Sequence, residues 1–167
     1  MSNQTYDLLI PIFTRMLPNL KAILEKAQED AEARKIDPQV FLQARLAPDM
    51  FALARQVQIT TDQVKGGLAR LAGVEVPKWD DNEKTFGELC ARVDKALDYT
   101  KTFKPAQFDG AETRDIELKF PQATLTFKGR DYLLNFVLPN FYFHLTAAYA
   151  ILRHNGVPLG KRDFVGG

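Results

Sequence analysis

The sequence predicts an all-α protein: an antiparallel bundle of four long helices, with a short β-hairpin before the last helix. Three observations predict it. Apolar residues recur at helical spacing in four separate stretches. The period changes to alternation over residues 113–128, where Ile116, Leu118 and Phe120, then Ala123, Leu125 and Phe127, alternate with polar neighbours. The last helical stretch, residues 129–156, is apolar nearly all round. A bundle is the ordinary way to bury four such stripes. At 167 residues the chain suits one domain with a sizeable core and is short for two, so a single domain over 1–167 is expected.

Each element has its own signals. The first helix is expected from residues 2–5 to about 34, with Tyr6, Leu9, Ile10, Phe13, Leu17, Leu20, Leu24 and Ala27 as its stripe. Pro11 and Pro18 lie inside it. Each removes a backbone donor and crowds the preceding turn, which predicts a late start or a kink. Asp37-Pro38 is a helix-start pair, a capping Asp before a Pro at the first helical position, and predicts a short helix over 38–45. Pro48 is expected to open the second long helix, which reaches Leu71 and stops at Gly73. Gly66-Gly67 inside it costs about 1 kcal/mol per Gly relative to Ala; close approach of a neighbouring helix is the expected reason.

Residues 73–84 form a connection in which Trp79 reads as an anchor folded onto the bundle. Thr85 and Glu88 make a capping box for a third helix reaching about 103, with Phe86, Leu89, Val93, Leu97 and Thr100 as its stripe. A two-stranded hairpin is marginal alone, so the 113–128 pair must lie against the bundle. The fourth helix is expected over 130–155, closed by Asn155-Gly156 and then Pro158. The tail after it reads as irregular, pinned by Phe164.

Composition narrows the function classes. The chain carries 22 Lys+Arg against 21 Asp+Glu, a net charge of +1, without the basic excess of a nucleic-acid binder. The single Cys90 cannot form an internal disulfide, and its place on an apolar helix face marks it as a core residue. The start of the chain lacks a secretory pattern. The best candidate span, residues 138–152, is too short to cross a bilayer and contains Asn140 and His144. A cytoplasmic protein with neither a nucleic-acid nor a membrane partner is expected.

The fourth helix carries the unusual residues. One face collects Leu133, Phe136, Val137, Asn140, His144, Ala147, Ala148 and Ile151; the remainder carries Leu134, Leu138, Phe141, Leu145, Tyr149 and Leu152. Such a helix sits at the centre of the domain or turns one face to an oligomer interface, and a homodimer is expected. Asn140 and His144 stand one turn apart on the same side. Pro139 cannot bond to the carbonyl of Asn135, which frees an acceptor near Asn140. In a purely structural reading, Asn140 and His144 satisfy groups of this kind and fix helix register.

The segments LPNFYFHLTAAYAILRHNGVPLGKRDF and, upstream, ARLAPDMFALARQVQ resemble an uncharacterised microbial domain-of-unknown-function family. That family lies within the DinB-like (DinB/YfiT) four-helix metalloenzyme superfamily, and the resemblance spans essentially the whole chain. It implies an up-down-down-up bundle, a dimer in many members, and a divalent metal between helices two and four. One His on helix two and a His-x3-His pair on helix four hold that metal. Relatives include thiol-dependent transferases and isomerases. Carried onto this chain, the second His of the pair is His144, the first position is Asn140, and the helix-two position is Gln56.

One imidazole of three is present, and amides are poor ligands for the expected zinc or nickel. The resemblance therefore implies a DinB-like protein with a degenerate metal site at Gln56, Asn140 and His144. Such a protein would bind a small molecule or act as a dimeric interaction module. The alternative is a metal- or thiol-dependent transferase or hydrolase using His144 in an interhelical pocket. A lone His without a nucleophile or an orienting partner assigns no catalytic residue, and no phosphate loop or nucleophile elbow appears elsewhere.

Overall fold

A computed structural model describes residues 4–167. Four long helices form the bundle: α1 (Gln4–Ala33), α3 (Leu53–Ala72), α4 (Phe86–Lys101) and α6 (Leu138–His154). The short α2 (Pro38–Leu42) precedes α3. The strands β1 (Asp115–Phe120) and β2 (Ala123–Lys128) pair antiparallel ahead of α5 (Gly129–Tyr132), which runs into α6 through one π turn, Leu133–Val137. A final short helix, α7 (Lys161–Val165), closes the chain.

Contacts fix the directions. Tyr6 near the start of α1 meets Phe108, just past the end of α4, with ring centroids 5.7 Å apart; these two helices are antiparallel. Phe13 packs on Phe141, while Arg34 Nη1 beyond the end of α1 donates to the carbonyl of Asn155 at 3.1 Å. Thus α1 and α6 run parallel. Gln56 near the start of α3 meets His144, and Gly67 near its end abuts Val137, so α3 opposes α6. The order is up-down-down-up, with α1 packed most extensively on α4 and α3 on α6. Phe13, Phe41, Phe86, Phe108, Phe141 and Tyr132 fill the core.

Local signals explain most boundaries. Asp37 Oδ1 accepts from Gln39 N–H at 2.9 Å and caps α2. Thr85 and Glu88 form the capping box that starts α4. Gly156 follows α6 with φ +89°, and Val157 N–H returns to the carbonyl of Leu152. Gly67 has no Cβ because Val137 of the π turn would lie 2.8 Å from it, the close approach the sequence suggested. Pro11 and Pro18 sit on the solvent side of α1, and the helix continues through both. The expected start at Ser2 lies outside the described residues.

Several expectations are corrected. Helix α3 starts at Leu53, not Pro48, because residues 44–52 make a closed loop instead. Leu53 N–H bonds to the carbonyl of Ala44, Met50 N–H to that of Ala47, and Arg45 Nη1 to that of Met50 at 2.7 Å. The short α2 ends at Leu42 for the same reason. The tail is not irregular: Gly160 N–H bonds to Asp163 Oδ2 at 2.7 Å and opens α7. Phe164 does pin it, edge-on to Tyr149, with its carbonyl held by Asn19.

Helix α6 is not enclosed on every side. Phe141, Leu145, Ala148 and Ile151 are buried, whereas Leu134 in the π turn, Tyr142 and Phe143 (56% exposed) face outward. Trp79 is an anchor, edge-on to Tyr99 and flanked by the cations of Lys65 and Lys95. Cys90 is buried; burial, with Glu25 next, pushes its thiol up to about 11, which suits a core residue rather than a nucleophile. Among the described residues no helix is long and apolar enough to cross a membrane.

Candidate functional site

The three positions that the resemblance singled out do not form one cluster. Gln56 and His144 meet across the α3–α6 interface, with Gln56 Oε1 and His144 Nδ1 2.7 Å apart. Gln56 is 1% exposed and His144 9%. Asn140 turns back along its own helix and donates from Nδ2 to the carbonyl of Phe136 at 2.7 Å. That acceptor lies in the π turn, where Leu138 N–H reaches five residues back to Leu133. The turn accommodates Pro139, and the Asn140 side chain supplies a bond that the irregular backbone leaves open.

The backbone sets the imidazole tautomer. Gln56 Nε2 donates to the carbonyl of Phe51 at 3.1 Å, and a carbonyl can only accept. The amide oxygen therefore faces His144, so Nδ1 carries the proton and Nε2 keeps its lone pair. The 44–52 loop that displaced the start of α3 is what brings the Phe51 carbonyl to this point. Every fully buried side-chain nitrogen and oxygen among the described residues has a partner. Nε2 has no protein partner there, so it retains access to solvent.

Electrostatics favour the neutral ring. Burial, and after it the charge of Arg55, hold the His144 pKa below its ordinary value. Arg55 itself pairs with Asp81 at 2.5 Å. The ring lies edge-on to the exposed Phe143, 5.2 Å between centroids. On the neighbouring face of α6, Leu46, Met50, Pro139, Tyr142, Phe143 and Ala147 line an open apolar groove of about 410 Å³; His144 is not part of its lining.

This donor set does not fit a tight zinc or nickel site. One imidazole and one amide face each other, and they already share a proton. The nearest charge acting on the ring is a cation. Among the described residues no three His, Cys, Asp or Glu side chains are placed to hold a metal ion. Asp62, a nearby carboxylate in sequence, points away to Arg92 at 2.9 Å and Lys65 at 3.0 Å. His154 is exposed at the end of α6.

Sequence reasoning missed a second polar cluster on α3 and α4. Arg92 is only 4% exposed. Its guanidinium reaches Asp62, Asp81 and Glu83, each at 2.9 Å, the hydroxyl of Thr61 at 2.8 Å and the carbonyl of Asp80 at 2.9 Å. The signal was available: Arg92 sits beside Leu89 and Val93 on the apolar stripe, with the acidic run 80–83 just upstream.

Comparison with known proteins shows the family and the fold. A family model described as Domain of unknown function (DUF1993) matches residues 5–165. A crystal structure of a DinB family member protein from Shewanella denitrificans is 45% identical. It covers 97% of this chain and 92% of its own, with a TM-score of 0.89. A search of curated proteins finds no match.

Proposed function

The chain belongs to the DUF1993 family, a domain of unknown function with the DinB-type bundle, and we propose that it serves as a binding module built on a degenerate metal site. The observation that carries this reading is the Gln56–His144 hydrogen bond, with the amide oriented by the Phe51 carbonyl. A neutral imidazole with an accessible Nε2 accepts a hydrogen bond from a ligand donor. The groove on the neighbouring face of α6, which meets the ring only through Phe143, offers apolar surface to a ligand that reaches past that side chain. Elemental analysis of protein purified without added metal tests it. The expected result is no stoichiometric transition metal; near-stoichiometric zinc, nickel or iron that disappears in His144→Ala overturns it.

The outer face of α6 supports the dimeric part of the same reading. Tyr142 and Phe143 present aromatic surface there, and Phe51 (52% exposed) presents more from the 44–52 loop, of the kind that oligomer interfaces bury. Light scattering at micromolar concentration is expected to give twice the chain mass, and a monomer removes this part. The enzymatic alternative is favoured by one observation, the accessible Nε2 of a ring whose pKa is lowered, which makes a usable general base. A bell or shoulder near the His144 pKa in any hydrolase or transferase assay, abolished in His144→Gln, would move the reading to that alternative.

A further inference from the structure

We propose that the hollow between the second half of α3 and the hairpin tip binds a small organic carboxylate, with Arg70 gripping the carboxylate and the hairpin covering its apolar body. The hollow, about 290 Å³, is lined by Asp62, Lys65, Arg70, Leu118, Phe120 and Phe136 among others. This site is independent of His144.

Charge is what singles it out. Asp62 is already matched, since its Oδ1 takes both Lys65 and Arg92. Lys119 at the rim lies 3.6 Å from Glu117. Arg70 differs. It is half-buried, and no carboxylate among the described residues pairs with it. Its side-chain partner is the neutral phenol of Tyr132, which accepts from Nη1 at 3.1 Å. A guanidinium drawn in from water ordinarily has a counter-charge; here an external anion supplies it.

The position is held from two sides. A Cβ on Gly66, one turn earlier on α3, would collide with Arg70 Nη1. The absent side chain lets the guanidinium fold back over bare helix backbone into the hollow. Tyr132, 1% exposed, fixes the other side. With Nη1 committed to the phenol, the remaining N–H groups of the rigid fork suit the two oxygens of a carboxylate. Leu118, Phe120 and Phe136 supply apolar walls on the hairpin and the π turn, and the volume suits a ligand of benzoate size.

Titration of the full chain with benzoate, benzamide and inorganic phosphate, read by NMR shifts of the Arg70 side-chain N–H and the Leu118 methyls, tests the proposal. Benzoate is expected to saturate these shifts at millimolar concentration, with benzamide and phosphate at least about tenfold weaker. Arg70→Met is expected to lose benzoate binding. Gly66→Ala separates binding from folding: the helix preference of Ala offsets the loss of the Arg70–Tyr132 bond, so its thermal midpoint should stay close to the parent's, while benzoate affinity falls as the guanidinium is displaced. Absent benzoate shifts, benzamide binding as well as benzoate, phosphate binding as well as benzoate, or a Gly66→Ala protein with unchanged affinity would each overturn it.

Discussion

The Arg92 network and the Gln56–His144 pair share helix α3, yet the chain treats them differently. Around Arg92, three carboxylates converge on one cation, each at 2.9 Å. Around His144 two neutral groups meet, and the amide is oriented by a single carbonyl. The first arrangement holds an acidic loop onto the bundle by charge; removing its centre takes away the one cation that all three carboxylates share, leaving Glu83 without an ion pair. The second joins two helices by a hydrogen bond between neutral partners, so it can be replaced by apolar side chains of similar size. A strongly charged buried cluster is thus the structural one here, and the modest pair is the one proposed to receive a ligand.

The sharpest way to break this comparison is Arg92→Met. With Asp62, Asp81 and Glu83 left facing one another, a loss of about 3 kcal/mol is expected, below the fully buried limit because the carboxylates are partly exposed. A urea midpoint that hardly moves would show that the loop is held by Trp79 packing instead. Next in size is His144→Leu, which leaves the Gln56 oxygen buried without its partner and should cost about 1–2 kcal/mol. Adding Gln56→Leu should return much of that loss, as expected for a neutral pair. If the double variant is weaker than either single one, the pair is a structural lock of the same kind as the Arg92 cluster.

A smaller effect follows from pH. Burial first, and Arg55 second, lower the His144 pKa from 6.5, so the native ring is neutral and the unfolded chain takes up the proton first. The contribution of His144 to stability is complete above pH 6.5 and is lost as pH falls through the folded value. Melting curves of the parent should therefore decline relative to His144→Leu across that window; parallel curves would contradict the shift. The smallest expected change is in Arg55→Met. Its ion pair with Asp81 is more than a third exposed on both sides, so stability should shift by less than about 1 kcal/mol. The imidazole titration should move upward, since Arg55 is the charge linking the two regions. A static titration would separate them.

Much of the fold was legible because it rests on periodicity and capping. The four stripes, the hairpin alternation, Thr85 with Glu88 and the stop at Gly156 all act locally. The misplaced start at Pro48 had a tertiary cause: Leu53 bonds back to Ala44, a closure that no stripe reveals. Helix α7 is five residues long, too short for a period to register. Of the site, His144 and Gln56 were legible through the family pattern, while Asn140 was placed correctly on its helix but turns to Phe136. The Arg92 cluster went unread because partners 9 to 31 residues away in sequence become neighbours only once α3 and α4 pack.

The π turn at Leu133–Val137 stores one residue more than a regular helix needs between its flanks. Excising a single residue there would let the helix regularise with both flanks keeping their facing, whereas the same deletion in a regular stretch would swing one flank against the other by about 100°. Tyr132 upstream would keep its bond with Arg70, and His144 downstream its bond with Gln56. The turn is therefore slack in the last rod, the one place where its length can change by a residue while both polar contacts stay in register.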